Sequence, residues 1–418
     1  MKITYFAALA QAPTMRLPLT MLAGLLLLSG ATAQPIPPPP FMAHVIATGV
    51  TGGYQVIAAD INRDGKVDVI GLSQRGDLVW YENPNWTPHI VLAESQARQQ
   101  IGAEAWHMVN ADAADLDGDG CPEIALAYGF SANGPESVGN IGILHQDGNN
   151  HWMLKEIGRV PTAHRVRFGD LDGKGRKELF VAPVLNETET GGLSNPGHVP
   201  VALWMFRSDP AQASGWKQSL VTRENMGLVH AVQPLDWDGD GHDEVLTAGF
   251  SGVFEHHLDP KGGWSRRQIT PGDTAPWPGT GASEVQVGKI GGKRFFVTVE
   301  HFHGNMVVVY TADGKGDYRR HVIDDALAGG HALAMADFDG DGQPEIVAAG
   351  TGNRANLFYY AATDANGDGW TKTLIDNDMS PSSCVVADLN GDGKPDLACM
   401  DGRAPNYIKW YDYSRPRH

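Results

Sequence analysis

Asp115-Leu116-Asp117-Gly118-Asp119-Gly120-Cys121-Pro122-Glu123 is the stretch around which this chain is organised. Its spacing recurs at Asp60, Asn62, Asp64, Gly65 and Asp68; at Asp236, Asp238, Asp240, Gly241 and Glu244; at Asp337, Asp339, Asp341, Gly342 and Glu345; and at Asp388, Asn390, Asp392, Gly393 and Asp396. An apolar run (Gln55-Val56-Ile57-Ala58-Ala59) precedes the first copy and a short β-branched run (Val67-Asp68-Val69-Ile70) follows it. Each copy therefore reads as strand–loop–strand.

The pattern D-x-[DN]-x-[DN]-G-x-x-[DE] is the first nine positions of a calcium loop of the EF-hand type. Oxygens at alternate positions converge on a hard cation, and the glycine allows the sharp turn. One copy reads equally well as an Asp/Gly-rich turn that needs no ion. Five copies, each with a closing carboxylate, would repel themselves without cations. The expected ligands are Asp60, Asn62, Asp64, Asp68, Asp115, Asp117, Asp119, Glu123, Asp236, Asp238, Asp240, Glu244, Asp337, Asp339, Asp341, Glu345, Asp388, Asn390, Asp392 and Asp396, and the expected cofactor is structural Ca2+ at several sites.

The loops begin at 60, 115, 170, 236, 337 and 388, a period of about 50 residues. The copy at Asp170-Leu171-Asp172-Gly173-Lys174-Gly175 is degenerate: Lys174 stands where the third acidic ligand belongs, so calcium is expected to be absent or weak there. A further copy, stripped of its acids, sits at Val287-Gly288-Lys289-Ile290-Gly291-Gly292, inside the double-length gap after 236. That makes seven repeats. Trp86, Trp152, Trp216, Trp264, Tyr318 and Trp370 run in phase as openers of a last strand, so each repeat holds four strands. The chain ends on a third strand, Ile408-Lys409-Trp410-Tyr411, while Phe41 to Ile46 matches the fourth strand Tyr318 to Ile323. The fold class is all-β: a seven-bladed β-propeller of four-stranded blades over residues 41–413, closed by the N-terminal strand completing the last blade.

Arg16, the apolar run Met21 to Leu28 and the A-x-A site Ala31-Thr32-Ala33 predict a signal peptide over 1–33, with Met15 as an alternative start. Export to periplasm or extracellular space is expected, followed by a Pro-rich linker at 34–40. No segment is apolar enough for a membrane span. A net charge of −17 without a basic stripe argues against nucleic acid. A monomer is expected. Three cysteines exclude a disulfide scaffold; Cys384 and Cys399 flank the last loop, where a disulfide or two thiols would fit, and Cys121 is left over.

Six residues before the loops stand Tyr54, His164, His230, Ser283, His331 and Ser382; in the second repeat the register is read as slipping, to His107. These positions ring the channel mouth opposite the acidic loops. Loops after second strands bring Tyr128, Asn186, Arg354 and Arg403, and the acid-free blade brings Glu300, His301 and His303. Arg165 and Arg167 sit beside His164, and insertions at Ser95 to Trp106 and Asn186 to Val199 enlarge the same face. Each histidine reads equally as inter-blade packing. The H-x-H pair His301/His303 with channel histidines is a candidate holder of Zn2+ or Ca2+. There is no G-x-S-x-G elbow and no H-E-x-x-H.

The repeats resemble the FG-GAP/VCBS propellers, over nearly the whole mature chain. His164-Arg165-Val166-Arg167-Phe168-Gly169-Asp170 and Glu300-His301-Phe302-His303-Gly304-Asn305 are similar to segments of a narrower group, the aldos-2-ulose (1,5-anhydrofructose) dehydratases and rhamnose–glucuronate lyases. That resemblance implies β-elimination on a sugar, a carbon–oxygen lyase reaction. The chemistry needs a base for the α-proton, an acid for the leaving oxygen and positive charge for the enolate. The expected catalytic set is His107 or His164 as base, His230 or His331 as acid or positioner, and Arg167. Tyr128, Arg165, Glu300, His301, His303, Arg354 and Arg403 are expected to bind the carbohydrate. The rival reading is a non-catalytic sugar- or protein-binding propeller.

Overall fold

The structure is a computed structural model that describes residues 41–413 apart from 103–105, 148–150, 194–195 and 355. The signal-peptide and linker expectations lie outside the described residues. Seven four-stranded antiparallel sheets form a ring. Their inner strands are Gly53–Ala59, Met108–Ala114, Ala163–Gly169, Val229–Leu235, Glu284–Ile290, Gly330–Ala336 and Pro381–Ala387. Each packs on the inner strand of the next blade, and the seventh returns to the first. No helix of the described residues is long and apolar enough to cross a membrane.

Closure is as the sequence predicts. Phe41–Ala47 pairs with Ile408–Tyr413, in a register that sets Phe41 opposite Tyr413 and His44 opposite Trp410. The last blade is thus one sheet made from both ends of the described chain, and the array has no open edge between blades. Second strands are buried along their length in blades one, two, three, four, six and seven, because neighbouring blades cover both faces. After the closing carboxylate they accordingly read as near-continuous apolar runs, such as Ile346-Val347-Ala348-Ala349-Gly350. Outer strands alternate and open on the expected aromatics, Trp152, Trp216, Trp264, Tyr318 and Trp370; Trp86 directly precedes its strand. Where the fifth blade has lost its acidic loop, Ile290 pairs with Lys293 across the two-residue turn Gly291-Gly292. Both glycines have positive φ (54° and 74°), as such a hairpin turn requires.

The acidic loops share one internal device. The closing carboxylate is buried and accepts the amide of the loop's second residue. Ile61 donates to Asp68 at 2.9 Å, Leu116 to Glu123 at 2.9 Å, Trp237 to Glu244 at 2.9 Å, Phe338 to Glu345 at 2.9 Å and Leu389 to Asp396 at 2.9 Å. The degenerate loop repeats it, with Leu171 donating to Glu178 at 3.3 Å. Burial pushes Asp68 and Asp396 up to about 6 and, with Asp339 beside it, Glu345 up to about 8. In the degenerate loop Arg207 reaches the closing carboxylate of Glu178 at 2.8 Å and Arg176 reaches Asp172 at 3.0 Å. Cys384 and Cys399 are directly opposed across two strands and joined as a disulfide; Cys121 is free and buried.

Candidate active site

The ring positions are built by a repeated irregularity. In six inner strands the pairing register slips by one residue near the start, and the extra residue is Tyr54, Val109, His164, His230, His331 or Ser382. A β-bulge leaves its extra residue outside the ladder and re-aims its side chain. Here it turns each of these side chains towards the axis. The fifth blade has no bulge: Glu284 pairs with Val299 in regular register, and its carboxylate reaches the axis instead. In the second blade the bulge carries Val109, which lines the mouth cavity, so the expected slip to His107 is corrected. His107 packs edge-on against Phe130 at 5.3 Å and is not among the lining residues.

These side chains meet in a polar plug across the channel. His164 and Tyr54 join at 2.9 Å, Nε2 to hydroxyl, and the same hydroxyl lies 3.3 Å from His331 Nε2. Arg165 Nη1 lies 2.8 Å from His164 Nδ1, and His331 Nδ1 lies 2.6 Å from the Ser382 carbonyl. Donor chemistry orients this chain. A guanidinium only donates and a carbonyl only accepts. His164 therefore accepts at Nδ1 and donates from Nε2–H to the Tyr54 oxygen. Tyr54 in turn donates to His331 Nε2, and His331 donates from Nδ1–H to Ser382. His230 is fixed in the same manner, with Nδ1 3.0 Å from the Ser283 carbonyl and 2.8 Å from Glu284. Arg165 is ion-paired with Glu284 at 3.1 Å and donates to His230 Nε2 at 3.1 Å.

Burial, reinforced by Arg165, holds His164 and His230 well below the usual imidazole range. His331 is lowered by burial and then by His303. His303 is brought down to about 4 by burial and Arg165. These rings are neutral at pH 7, as metal ligands and bases must be. Burial raises Tyr54, which keeps its proton. One ring nitrogen from each of His230, His303 and His331 lies within 4.8 Å of the others. His303 Nε2 is buried with no hydrogen-bond partner. Three neutral imidazoles, one with an orphaned ring nitrogen and two fixed at Nδ1 by carbonyls of the adjoining blade, fit a divalent transition metal. A cation there would displace Arg165 from His230 Nε2 and the Tyr54 hydroxyl from His331 Nε2, freeing that hydroxyl towards the mouth and leaving the Arg165–Glu284 pair in place.

Above the plug lies a mouth cavity of about 360 Å³, lined by Tyr54, Phe130, His164, Phe302, His303 and His331, among others. Phe302 stacks on His303 at 3.9 Å. The insertion of the third blade reaches this cavity through Leu193, and Arg403 stands at its edge. The described residues of the second-blade insertion do not: they form the helix Glu94–Ile101, with Ala97 and Trp106 in the core between blades one and two.

Several sequence-expected residues lie elsewhere. Tyr128 is buried against Trp106 at 6.0 Å. Glu300 points outward into its own blade, towards Thr298, Tyr310 and Arg320. Arg354 is paired with Asp378 at 3.0 Å, away from the cavity lining. His301 is also outside that lining. Arg167 lies below the plug, bonded to Asn110 Oδ1 at 2.8 Å and the Val166 carbonyl at 2.6 Å. Phe130 and Phe302, two of the aromatic walls, carried no signal in the sequence, because their role depends on where the loops after second strands converge.

FG-GAP-like repeats match residues 60–126 and 337–399, the segments holding the first two and last two acidic loops. The β-propeller domain of aldos-2-ulose dehydratase matches residues 138–313, which contain His164, Arg165, His230 and His303. A curated relative, the aldos-2-ulose dehydratase of Phanerodontia chrysosporium, is 25% identical across 90% of this chain. The chain spans 45% of that relative's length. Among solved structures, an Agrocybe aegerita lectin described as recognising non-reducing terminal N-acetylglucosamine shares the fold. It has a TM-score of 0.51 and 18% identity, over 86% of this chain and 94% of that one.

Proposed function

We propose that this protein is an exported, calcium-bearing propeller that dehydrates a keto sugar by β-elimination at the histidine-lined mouth. The observation that carries the reading is the oriented chain Arg165–His164–Tyr54–His331, which borders a cavity of sugar size beside three convergent imidazoles. The relatedness to an aldos-2-ulose dehydratase supports the substrate class.

Elimination breaks a C–H bond next to a carbonyl and a C–O bond one carbon further on, forms C=C, and releases water without any change of oxidation state overall. Tyr54 and His164 hold a shared proton at the cavity wall. Tyr54 gives its proton to the departing hydroxyl and takes the α-proton in return, so that it ends as it began, with the His164 Nε2–H stabilising the tyrosinate between. Arg165 fixes the His164 tautomer and keeps the ring uncharged, so its Nε2–H is held on the Tyr54 oxygen. A divalent metal ion held by His230, His303 and His331 would polarise the substrate carbonyl and stabilise enolate charge. Phe130 and Phe302 offer apolar faces to the sugar ring and exclude water. Acidic loops on the opposite face would hold calcium, with a structural role.

The test is to offer the purified protein 1,5-anhydrofructose, aldos-2-uloses and uronate-containing glycans, and to follow the ultraviolet absorbance of conjugated products. Turnover of a keto sugar supports the reading. Binding of a glycan without turnover, measured by calorimetry, favours the lectin-like alternative suggested by the shared fold.

A further inference from the structure

Below the histidine plug the channel continues as two chambers. The upper, of about 100 Å³, is lined by Asn110, Arg165, Arg167, Glu284 and Gln286, among others. The lower, of about 290 Å³, is lined by Arg167, Gln233, Gln286, Met335, Cys384 and Val386, among others. Arg167 and Gln286 belong to both. The axial order follows the inner strands: His164 faces the mouth, Arg165 the plug, and Arg167, two residues further along, the space beyond it.

The two arginines differ in what neutralises them. Arg165 has Glu284 at 3.1 Å. Arg167 has no carboxylate within 4.0 Å among the described residues; its partners are the neutral oxygens of Asn110 and Val166. The carboxylates that face it from a distance are Asp112, of the second blade, and Glu284. Asp112 is committed to the Phe168 amide at 2.8 Å, and its own burial favours the protonated form. Glu284 is committed to Arg165 and His230. Gln286 is paired with Val297 through its backbone, but its side chain makes no hydrogen bond to any described residue, so its carboxamide N–H is available at the same spot. Buried charges in proteins are paired, and a guanidinium held in a narrow low-dielectric channel without a counter-charge in contact is costly. A space of this size admits one small ion with a water or two.

We propose that Arg167 and Gln286 form a binding site for a small inorganic anion, a halide such as chloride, on the channel axis beneath the plug. The anion completes the charge of Arg167 and sits apart from the mouth, with the Tyr54, His164 and His331 layer between. The site is independent of any reaction at the mouth. It also accounts for an arginine whose presence the elimination chemistry does not require.

The experiment is a bromide-soaked crystal of the purified protein, with data collected at the bromine absorption edge. An anomalous peak within about 3.5 Å of the Arg167 guanidinium is expected. In parallel, the thermal midpoint with calcium in excess is compared in sodium bromide and in sodium gluconate of equal ionic strength. Bromide should raise it by at least about 1 °C, and Arg167→Met should abolish the difference. Should Arg167→Met fail to fold, the wild-type map decides alone. Water density in the chamber without an anomalous peak overturns the proposal, as does a midpoint indifferent to the anion.

Discussion

Glu300 is fully buried, and its carboxylate is held by Arg320 at 2.6 Å, Tyr310 at 2.5 Å and Thr298 at 2.9 Å. Removing the cation leaves a buried charge with hydroxyl partners only. Because Arg320 is itself partly exposed and both hydroxyls remain, Arg320→Met should cost about 2–4 kcal/mol, read as a lower urea midpoint. Glu300→Gln should cost less, since it removes the charge together with the need for a partner. Equal losses for the two would contradict this account. In the sequence Glu300 could be read only as a carboxylate beside His301 and His303. Register decides the matter: Glu300 pairs with Met306 at the end of a regular second strand, from where its side chain runs along the blade. The bulges are the complementary case. Tyr54, His164, His230 and His331 were legible as ring positions by their spacing from the loops, and in the second blade the same spacing leads to Val109. The slip to His107 departed from that spacing, and the bulge that aims Val109 was not legible, because a β-bulge has no sequence signature of its own.

At the scale of the element, the acidic loops were the most readable part of the chain. Their ligands lie in one short segment, so local spacing suffices. Five equivalents of calcium are expected per chain, counted by elemental analysis after dialysis. Asp341→Ala should remove one equivalent, and Asp170→Ala none, because Arg176, Lys177 and Arg207 already stand beside the carboxylates of the degenerate loop. Chelation should lower the thermal midpoint. A buried third-strand histidine gives a separate acid test. His256, bonded to Thr247 at 3.0 Å, is brought down to about 3 by burial and by Arg266. The unfolded chain takes up this proton near pH 6.5 and the folded one only near 3, so the unfolded state binds more protons in between and stability falls as the pH drops through that window. At pH 5 the loss from this one ring is about 2 kcal/mol. His256→Gln should lose that much less between pH 7 and pH 5 in urea titrations, whatever the other histidines contribute.

For the whole molecule, closure rests on Phe41–Ala47, whose ring Phe41 meets Phe338, Tyr359 and Tyr413 edge-on at 5.4, 5.5 and 5.2 Å. A protein beginning at residue 49 should lose cooperative unfolding, or associate through the bared edge of Ile408–Tyr413, as seen by size-exclusion chromatography. Blade number and closure were legible because repeats count themselves. The plug was not, since it is assembled from five blades whose side chains meet only across the axis. The claim that joins these scales is that the plug face is a site of elimination. It is tested most directly by the rate of conjugated-product formation from 1,5-anhydrofructose in wild type, Tyr54→Phe, His303→Ala and the exposed-surface control His151→Ala. The account predicts losses in kcat/KM of at least about 100-fold for Tyr54→Phe and His303→Ala, with folding retained and the control unchanged. Full activity in both mouth variants would contradict it.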